Sequence, residues 1–305
     1  MTSRFVQQTG RSMRALESVI YCDRAIIVLQ KPPGLVCQLN HSRSLWVEGR
    51  MLEGNRESNF NALLHGLGKA LGDRPFPVHR LDKGTTGALL LARSATHARK
   101  LSQQFQSRTV DKTYLALVRG GAKSFPSKSG EIRTPILYND GRASIDPSFQ
   151  GDPSATEWEL IASSSKVPLS LLRLKLHTGH KHQLRVHLAH CLNVPILGDT
   201  LYSKKPPSEI IRSATTVPED RIFLHAAHLS LFQYRASGPK KRFRLGISAP
   251  LPADFVKICI DSEIPLAPAE VHGGVFIDGE LVEDGKVPDL GGSWMPELNG
   301  MQNRT

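Results

Sequence analysis

The chain has 305 residues, 40% of them hydrophobic, with 39 Lys and Arg against 28 Asp and Glu and a formal net charge of +11. That is ample for one large core or two modest ones, and four scattered cysteines (Cys22, Cys37, Cys191, Cys259) with no CxxC pair argue against a zinc ribbon or disulfide framework and for a reducing compartment. No apolar run approaches the roughly 18 residues of a membrane span, so a soluble protein is expected.

The first residues are basic. Arg4, Arg11 and Arg14 stand among Ser and Thr, with no acid before Glu17. Residues 1–17 therefore read as an organelle-import presequence, which would place the protein in mitochondria, or as a basic arm on a cytoplasmic protein. Ser18–Tyr21 and Ala25–Leu29 predict two short strands joined by a turn at Cys22-Asp23-Arg24. Lys31-Pro32-Pro33-Gly34 breaks that pattern and Leu35-Val36-Cys37 resumes it. Residues 38–59 are polar and aperiodic, as a long loop or insertion would be. Ala62, Leu63, Leu67, Ala70 and Leu71 follow helical spacing up to Gly72-Asp73.

Next comes Val78-His79-Arg80-Leu81-Asp82-Lys83-Gly84-Thr85-Thr86-Gly87, running into the apolar Ala88–Ala92. Gly84 and Gly87 permit a tight bend that carries Asp82 at its rim, and the apolar run reads as a buried strand. An acid on a loop at a sheet edge suits chemistry; the alternative is a hairpin in which Asp82 bonds its own turn. Ser94 then caps a helix with Ala98, Leu101 and Phe105 on one face, and Lys112–Val118 is a strand. Residues 119–156 hold one hairpin around Tyr138-Asn139-Asp140-Gly141. Thr156–Leu160 and Leu169–Leu176 alternate as adjacent antiparallel strands about a Ser163-Ser164-Ser165 turn.

The stretch His177–His190 contains five histidines, and His187 with His190 has the i, i+3 spacing a zinc hydrolase would use. No acid lies between Glu159 and Asp199 to complete a ligand set, so no metal is expected. A helix follows Gly179 with Leu184, Leu188 and Cys191 or Leu192 as its apolar stripe. Arg185 lies one position off that stripe, where it could meet a carboxylate from another loop and keep it ionised, or sit as a surface arginine. Two further strands follow, at Phe223–Leu231 and Arg242–Ile247. Strands outnumber helices and are joined mostly by turns, which predicts an α+β domain on a largely antiparallel sheet. Residues 261–305 hold nine acids and two bases, so residues 1–260 carry 37 bases and 19 acids, a net of +18. A body that basic suits nucleic acid. The expected division is an arm at 1–17, a catalytic domain at 18–258 and an acidic, Gly- and Pro-containing extension at 259–305.

His79-Arg80-Leu81-Asp82 with Gly84-Thr85-Thr86-Gly87, Lys112–Val118, Gly179–His187, Pro195-Ile196-Leu197-Gly198-Asp199 and Leu224-His225-Ala226 resemble, in order, the motifs of RluA-type pseudouridine synthases. The resemblance covers roughly residues 18–250. It implies a catalytic domain on a long, bent sheet with a central cleft, needing neither cofactor nor metal. It also implies Asp82 as the catalytic aspartate, Tyr114 as the aromatic that stacks on the target base, Arg185 as the carboxylate's partner, and Arg80 as the filler of the gap left in the RNA. His79, Lys83, Thr85, Lys112, His180, Lys181, His182 and Gln183 complete the expected RNA contacts. His180-Lys181 and Thr86 depart from the family's usual Arg-Thr and Ser. The expected substrate is structured RNA, ribosomal RNA ahead of tRNA, bound by a monomer. A non-catalytic RNA-binding or ribosome-assembly protein on the same fold is the alternative.

Overall fold

The computed structural model describes residues 15–37, 46–47, 50–51, 59–139, 142–203, 205–236 and 241–295. In chain order its elements begin with β1 (Val19–Cys22), β2 (Ile26–Lys31), β3 (Trp46–Val47), β4 (Arg50–Met51), α1 (Asn59–Leu71), β5 (Phe76–Pro77), β6 (Thr86–Ala92), α2 (Ala95–Gln106) and β7 (Asp111–Arg119). They continue with β8 (Ser129–Ile132), β9 (Ile136–Asn139), β10 (Arg142–Ile145), β11 (Thr156–Ser163), β12 (Leu169–Leu176), α3 (Gln183–His190) and α4 (Glu209–Ala214). The last third holds β13 (Leu224–Tyr234), β14 (Arg242–Ser248), α5 (Ala253–Asp261), α6 (Pro268–His272), β15 (Gly274–Ile277), β16 (Glu280–Leu281), β17 (Lys286–Val287) and β18 (Gly292–Trp294).

Fourteen of these strands form one sheet, ordered β17-β18-β1-β2-β6-β13-β7-β12-β11-β8, with β14, β15 and β16 continuing from β13 and β5 on β6. Among the described residues its one parallel pairing is β6 with β13. The sheet is thus mixed and mostly antiparallel, as the turn-rich order of strands predicts.

All seven residues of β6 are buried. Leu89 and Leu91 pack with Phe60, Leu64 and Leu67 of α1 and with Leu184 and Leu188 of α3. Ala88, Leu90 and Ala92 pack on the other face with Leu101 of α2 and with Leu245 and Ile247 of β14. A strand covered on both faces carries no polar alternation, which is why the run is apolar throughout. Each leucine so buried contributes about 1.5–3 kcal/mol. Ser94 caps α2 by accepting from the His97 N–H at 3.2 Å.

Register then builds the site. Gly87 pairs with Ala226, Ala226 with Tyr114, and Tyr114 with Leu174, one row across four strands. Gly87 has φ +106, and a Cβ there would collide with the Ala226 carbonyl oxygen. Only glycine lets the Asp82 loop enter the sheet this close to β13.

Two sequence expectations need correction. Leu35–Cys37 is not a strand, and β8 pairs with β11 at the sheet edge without having been foreseen. Most of the β8 side chains are exposed and polar, and its Gly130 lies under the Trp158 indole, where a Cβ would come within 2.9 Å of Nε1. Such an edge strand shows no alternation to read. The segment expected as an acidic extension is built into the sheet through residue 294, β15 pairing with β14 and β18 with β1. Residues 1–14, 38–45, 48–49, 52–58 and 296–305 lie outside the described residues. So do Asp140 and Gly141, between the paired strands β9 and β10 of the predicted hairpin.

Candidate active site

The loop before β6 is held from beneath by a buried lysine. Lys31, 1% exposed, donates to the carbonyls of Pro32 (2.9 Å), Lys83 (3.1 Å) and Thr85 (2.8 Å). The Gly34 N–H also donates to the Lys83 carbonyl at 2.8 Å, and the Thr85 N–H to that of Asp82 at 3.1 Å. Burial pushes the Lys31 pKa down to about 8, with Cys37 and Asp82 pulling the other way. An ammonium with all three protons spent on loop carbonyls fixes the backbone on either side of Asp82.

Asp82 opens onto a cleft of about 410 Å³, within the range of small-ligand sites. Tyr114, Arg185, Arg80, Lys112, Arg108, Lys181 and His182 line the same cleft, with Phe105 and Leu224 supplying apolar wall. Among the described residues Asp82 is the only acid in that wall, facing five Lys and Arg. Tyr114 is 7% exposed, and burial together with the Asp82 charge raises its pKa, so the phenol stays neutral.

Arg185 corrects one expectation. Its fork closes on Asp199, with Nε to Oδ2 at 2.7 Å and Nη2 to Oδ1 at 2.8 Å, rather than on Asp82. Burial works against the guanidinium's charge, but the Asp199 hydrogen bonds and charge outweigh it, and Asp82 adds to the same side. Asp199 is delivered by a turn at Gly198, φ +80, where a Cβ would strike the Arg221 carbonyl oxygen. Asp199 stands in the quoted motif, but sequence alone does not put its carboxylate against a helix fourteen residues back. Its Oδ1 also accepts from the N–H groups of Leu201 (3.0 Å) and Tyr202 (3.2 Å), so the same carboxylate seats Tyr202. The Tyr202 ring lies 5.1 Å from the guanidinium carbon of Arg185. Tyr202 is a neighbour of the cleft residue Arg185 that sequence reasoning missed altogether, for it belongs to no periodic element.

The expected RNA contacts divide. Arg80 is exposed at the cleft rim, and Thr85 and Lys112 are in its wall. Lys83 is exposed but outside the wall. Gln183 is 2% exposed and spent inside the protein. Its Oε1 accepts from Thr178 Oγ1 (2.8 Å) and the His180 N–H (3.2 Å), while Nε2 donates to the Ala155 carbonyl and Thr156 Oγ1, both at 3.0 Å. It braces the turn into α3 from the cleft wall. His79 accepts the Leu90 N–H at Nε2 (2.8 Å) and stacks on Phe105 at 4.8 Å. Desolvation, with Lys112 nearby, pushes its pKa down to about 3, so it anchors the loop as a neutral ring. His180, also in the cleft wall, has its Nε2 at 2.9 Å from the Pro153 carbonyl. His187 is wholly buried, bonded to Thr156 Oγ1 and the Thr134 carbonyl, both at 3.0 Å. Among the described residues no three His, Cys, Asp or Glu gather as metal ligands, and no helix is long and apolar enough to cross a membrane.

A profile of the RNA pseudouridylate synthase family matches residues 25–190. The chain is 34% identical to an RNA pseudouridine synthase of Aquifex aeolicus over 70% of its own length and 65% of that protein's. It is 31% identical to ribosomal large subunit pseudouridine synthase D of Borreliella burgdorferi, covering 80% and 72%. With tRNA pseudouridine synthase C of Pasteurella multocida it shares 32%, covering 69% and 84%. Among solved structures, human RNA pseudouridylate synthase domain containing 4 superposes with a TM-score of 0.65 at 23% identity, over 86% of this chain and 99% of that one, a likeness of fold.

Proposed function

The chain belongs to the RNA pseudouridine synthase family, isomerases that act on RNA, and we propose that Asp82, Tyr114 and Arg185 form its catalytic constellation, with ribosomal RNA as substrate. The observation that carries the reading is the lone carboxylate of Asp82 in a cleft otherwise lined by cations and a neutral tyrosine. Converting uridine to pseudouridine breaks the N1 glycosidic bond, turns the uracil and rejoins it through C5. The nucleotide must first leave its stack. An ionised Asp82 then serves either as nucleophile at the sugar or as the base that takes a proton from it. Tyr114 supplies a floor for the detached base, worth about 1–3 kcal/mol of stacking. Arg185, neutralised in part by Asp199, keeps positive potential beside Asp82, and Arg80 at the rim takes the place of the extruded nucleotide.

Asp82→Asn keeps the shape of the side chain and removes its charge. Product formation is expected to fall by at least about 10²–10⁴-fold, with RNA affinity within about twofold. Near-normal turnover would remove Asp82 from the chemistry. Ribosomal RNA is favoured because relatives named for the large subunit align over 80%, 79% and 79% of this chain, against 69% and 70% for those named for tRNA. The acid-free run before Glu17 supports a mitochondrial location. Mapping pseudouridine in cellular and organellar RNA with and without the gene tests both points. A uridine lost from tRNA alone would replace the ribosomal assignment.

A further inference from the structure

His182 enters the cleft at the N-cap of α3 with φ 57 and ψ 15, in the left-handed region that histidine seldom occupies. Its Nδ1 lies 2.9 Å from the Tyr202 hydroxyl, and the two rings meet edge to face at 5.6 Å. The Tyr202 oxygen accepts the backbone N–H of Ala143. The hydroxyl proton is therefore free to go to Nδ1, and the proton of a neutral imidazole then stands on Nε2. The ring is half-buried; burial lowers its pKa, and Arg185 and Lys181 act in the same direction against Asp82 and Asp199. Nε2 has no hydrogen-bond partner among the described residues, on a ring that lines the cleft within reach of the Asp82 charge. Tyr202 carries nothing into the cleft itself. It is held by Asp199, stacks beneath Arg185 and turns His182.

Resting on the functional reading above, we propose that the Nε2–H of His182 donates a hydrogen bond to a carbonyl oxygen of the extruded uracil, with Tyr202 as the positioning residue that sets the tautomer. Uracil offers two carbonyls, O2 and O4, symmetric about the N3–C6 axis. A half turn about that axis puts C5 where N1 was and exchanges O2 with O4. One fixed donor thus meets a carbonyl before the turn and after it, and holds the base while no covalent bond does. Negative charge on the departing uracil spreads onto those same oxygens, and a neutral donor stabilises it without a counter-charge to trap it.

The test is single-turnover pseudouridine formation on a ribosomal RNA transcript containing uridine, 2-thiouridine or 4-thiouridine, sulfur being the poorer acceptor. Wild type is expected to slow about tenfold on both thio-transcripts, the worth of one neutral hydrogen bond. His182→Ala and Tyr202→Phe are expected to be about tenfold or more slower on the uridine transcript, to bind RNA within about twofold of wild type, and to show almost no further thio effect. Tyr202→Phe keeps the ring under Arg185, so its loss reports the hydroxyl and not the fold. Nitrogen-15 spectra of the ring should show the Nε2–H form in wild type and a mixed tautomer in Tyr202→Phe. Variants that keep the full thio effect, or that turn over as fast as wild type, overturn the assignment. A wild-type protein that forms no pseudouridine on any RNA removes the functional reading, and this inference with it.

Discussion

The fork between Arg185 and Asp199 is buried on both sides, with 8% and 1% of the two side chains exposed. Taking away one member leaves a charge with neither water nor counter-ion, which costs about 3–5 kcal/mol. Asp199→Ala is expected to lower unfolding free energy by that order in urea melts and to slow turnover as Arg185 and Tyr202 lose their anchor. Arg185→Ala should reduce turnover far more than RNA affinity, and equal losses would make it a phosphate contact. His225 gives the chain a pH dependence. Its ring is fully buried, between Thr86 Oγ1 at 2.9 Å and the Ala249 carbonyl at 3.2 Å, and burial pushes its pKa down to about 4. A base depressed on folding takes up its proton more readily in the unfolded chain. Its stabilising share is therefore complete above pH 6.5 and is lost as pH falls toward 4, roughly 3 kcal/mol in all. Melting temperatures followed from pH 7 to 4.5 should drop less steeply in His225→Gln than in wild type. That Asp82 and Tyr114 line one cleft was legible because each stands in a dense, ordered run of unusual residues. Asp199 as the partner of Arg185 was not, since that pairing is made by the left-handed turn at Gly198.

Elements were read best where both faces of a strand or one stripe of a helix are apolar. The run Ala88–Ala92, the Ser94-capped helix and the pair β11 and β12 fall where periodicity puts them. The helix α3 is a harder case. From Gln183 to Leu188 every residue is buried, including an Arg, a Gln and a His. Leu184 and Leu188 give the stripe, but Val186 packs instead on Ile136 and Ala143 of the β9–β10 hairpin. Polar residues buried all round a helix do not announce themselves by spacing; the Thr178, Thr156 and Ser154 hydroxyls that satisfy them come from other segments. The Asp82 loop shows the same dependence on a distant element, since Lys31 of β2 supplies its support. Lys31→Met fills the space but deprives the Pro32, Lys83 and Thr85 carbonyls of their donor, at a cost of about 1–3 kcal/mol. Turnover should fall while RNA affinity changes little. A variant with normal turnover and normal stability would show that the loop holds itself.

On the scale of the whole molecule, charge and chemistry coincide. Residues 1–260 carry the net +18, and the cleft wall gathers five cations around one acid. Log affinity for RNA should therefore fall linearly with log salt, with a slope near −0.7 for each phosphate neutralised on a single strand. Binding that ignored salt would leave the basic surface without a role. The acidic segment is sheet material, with Val275 in the core beside Ile247 and with β18 hydrogen-bonded along β1.

That last pairing bears on how the chain is made. Tyr21 and Cys22 leave the translating ribosome some 270 residues before their outer neighbours, Trp294 and Ser293. During synthesis β1 pairs only with β2, and its other side stays open to any passing strand. Completion of the sheet then waits until β18 has been made, and in that interval the open edge of β1 is exposed to wrong strand pairing.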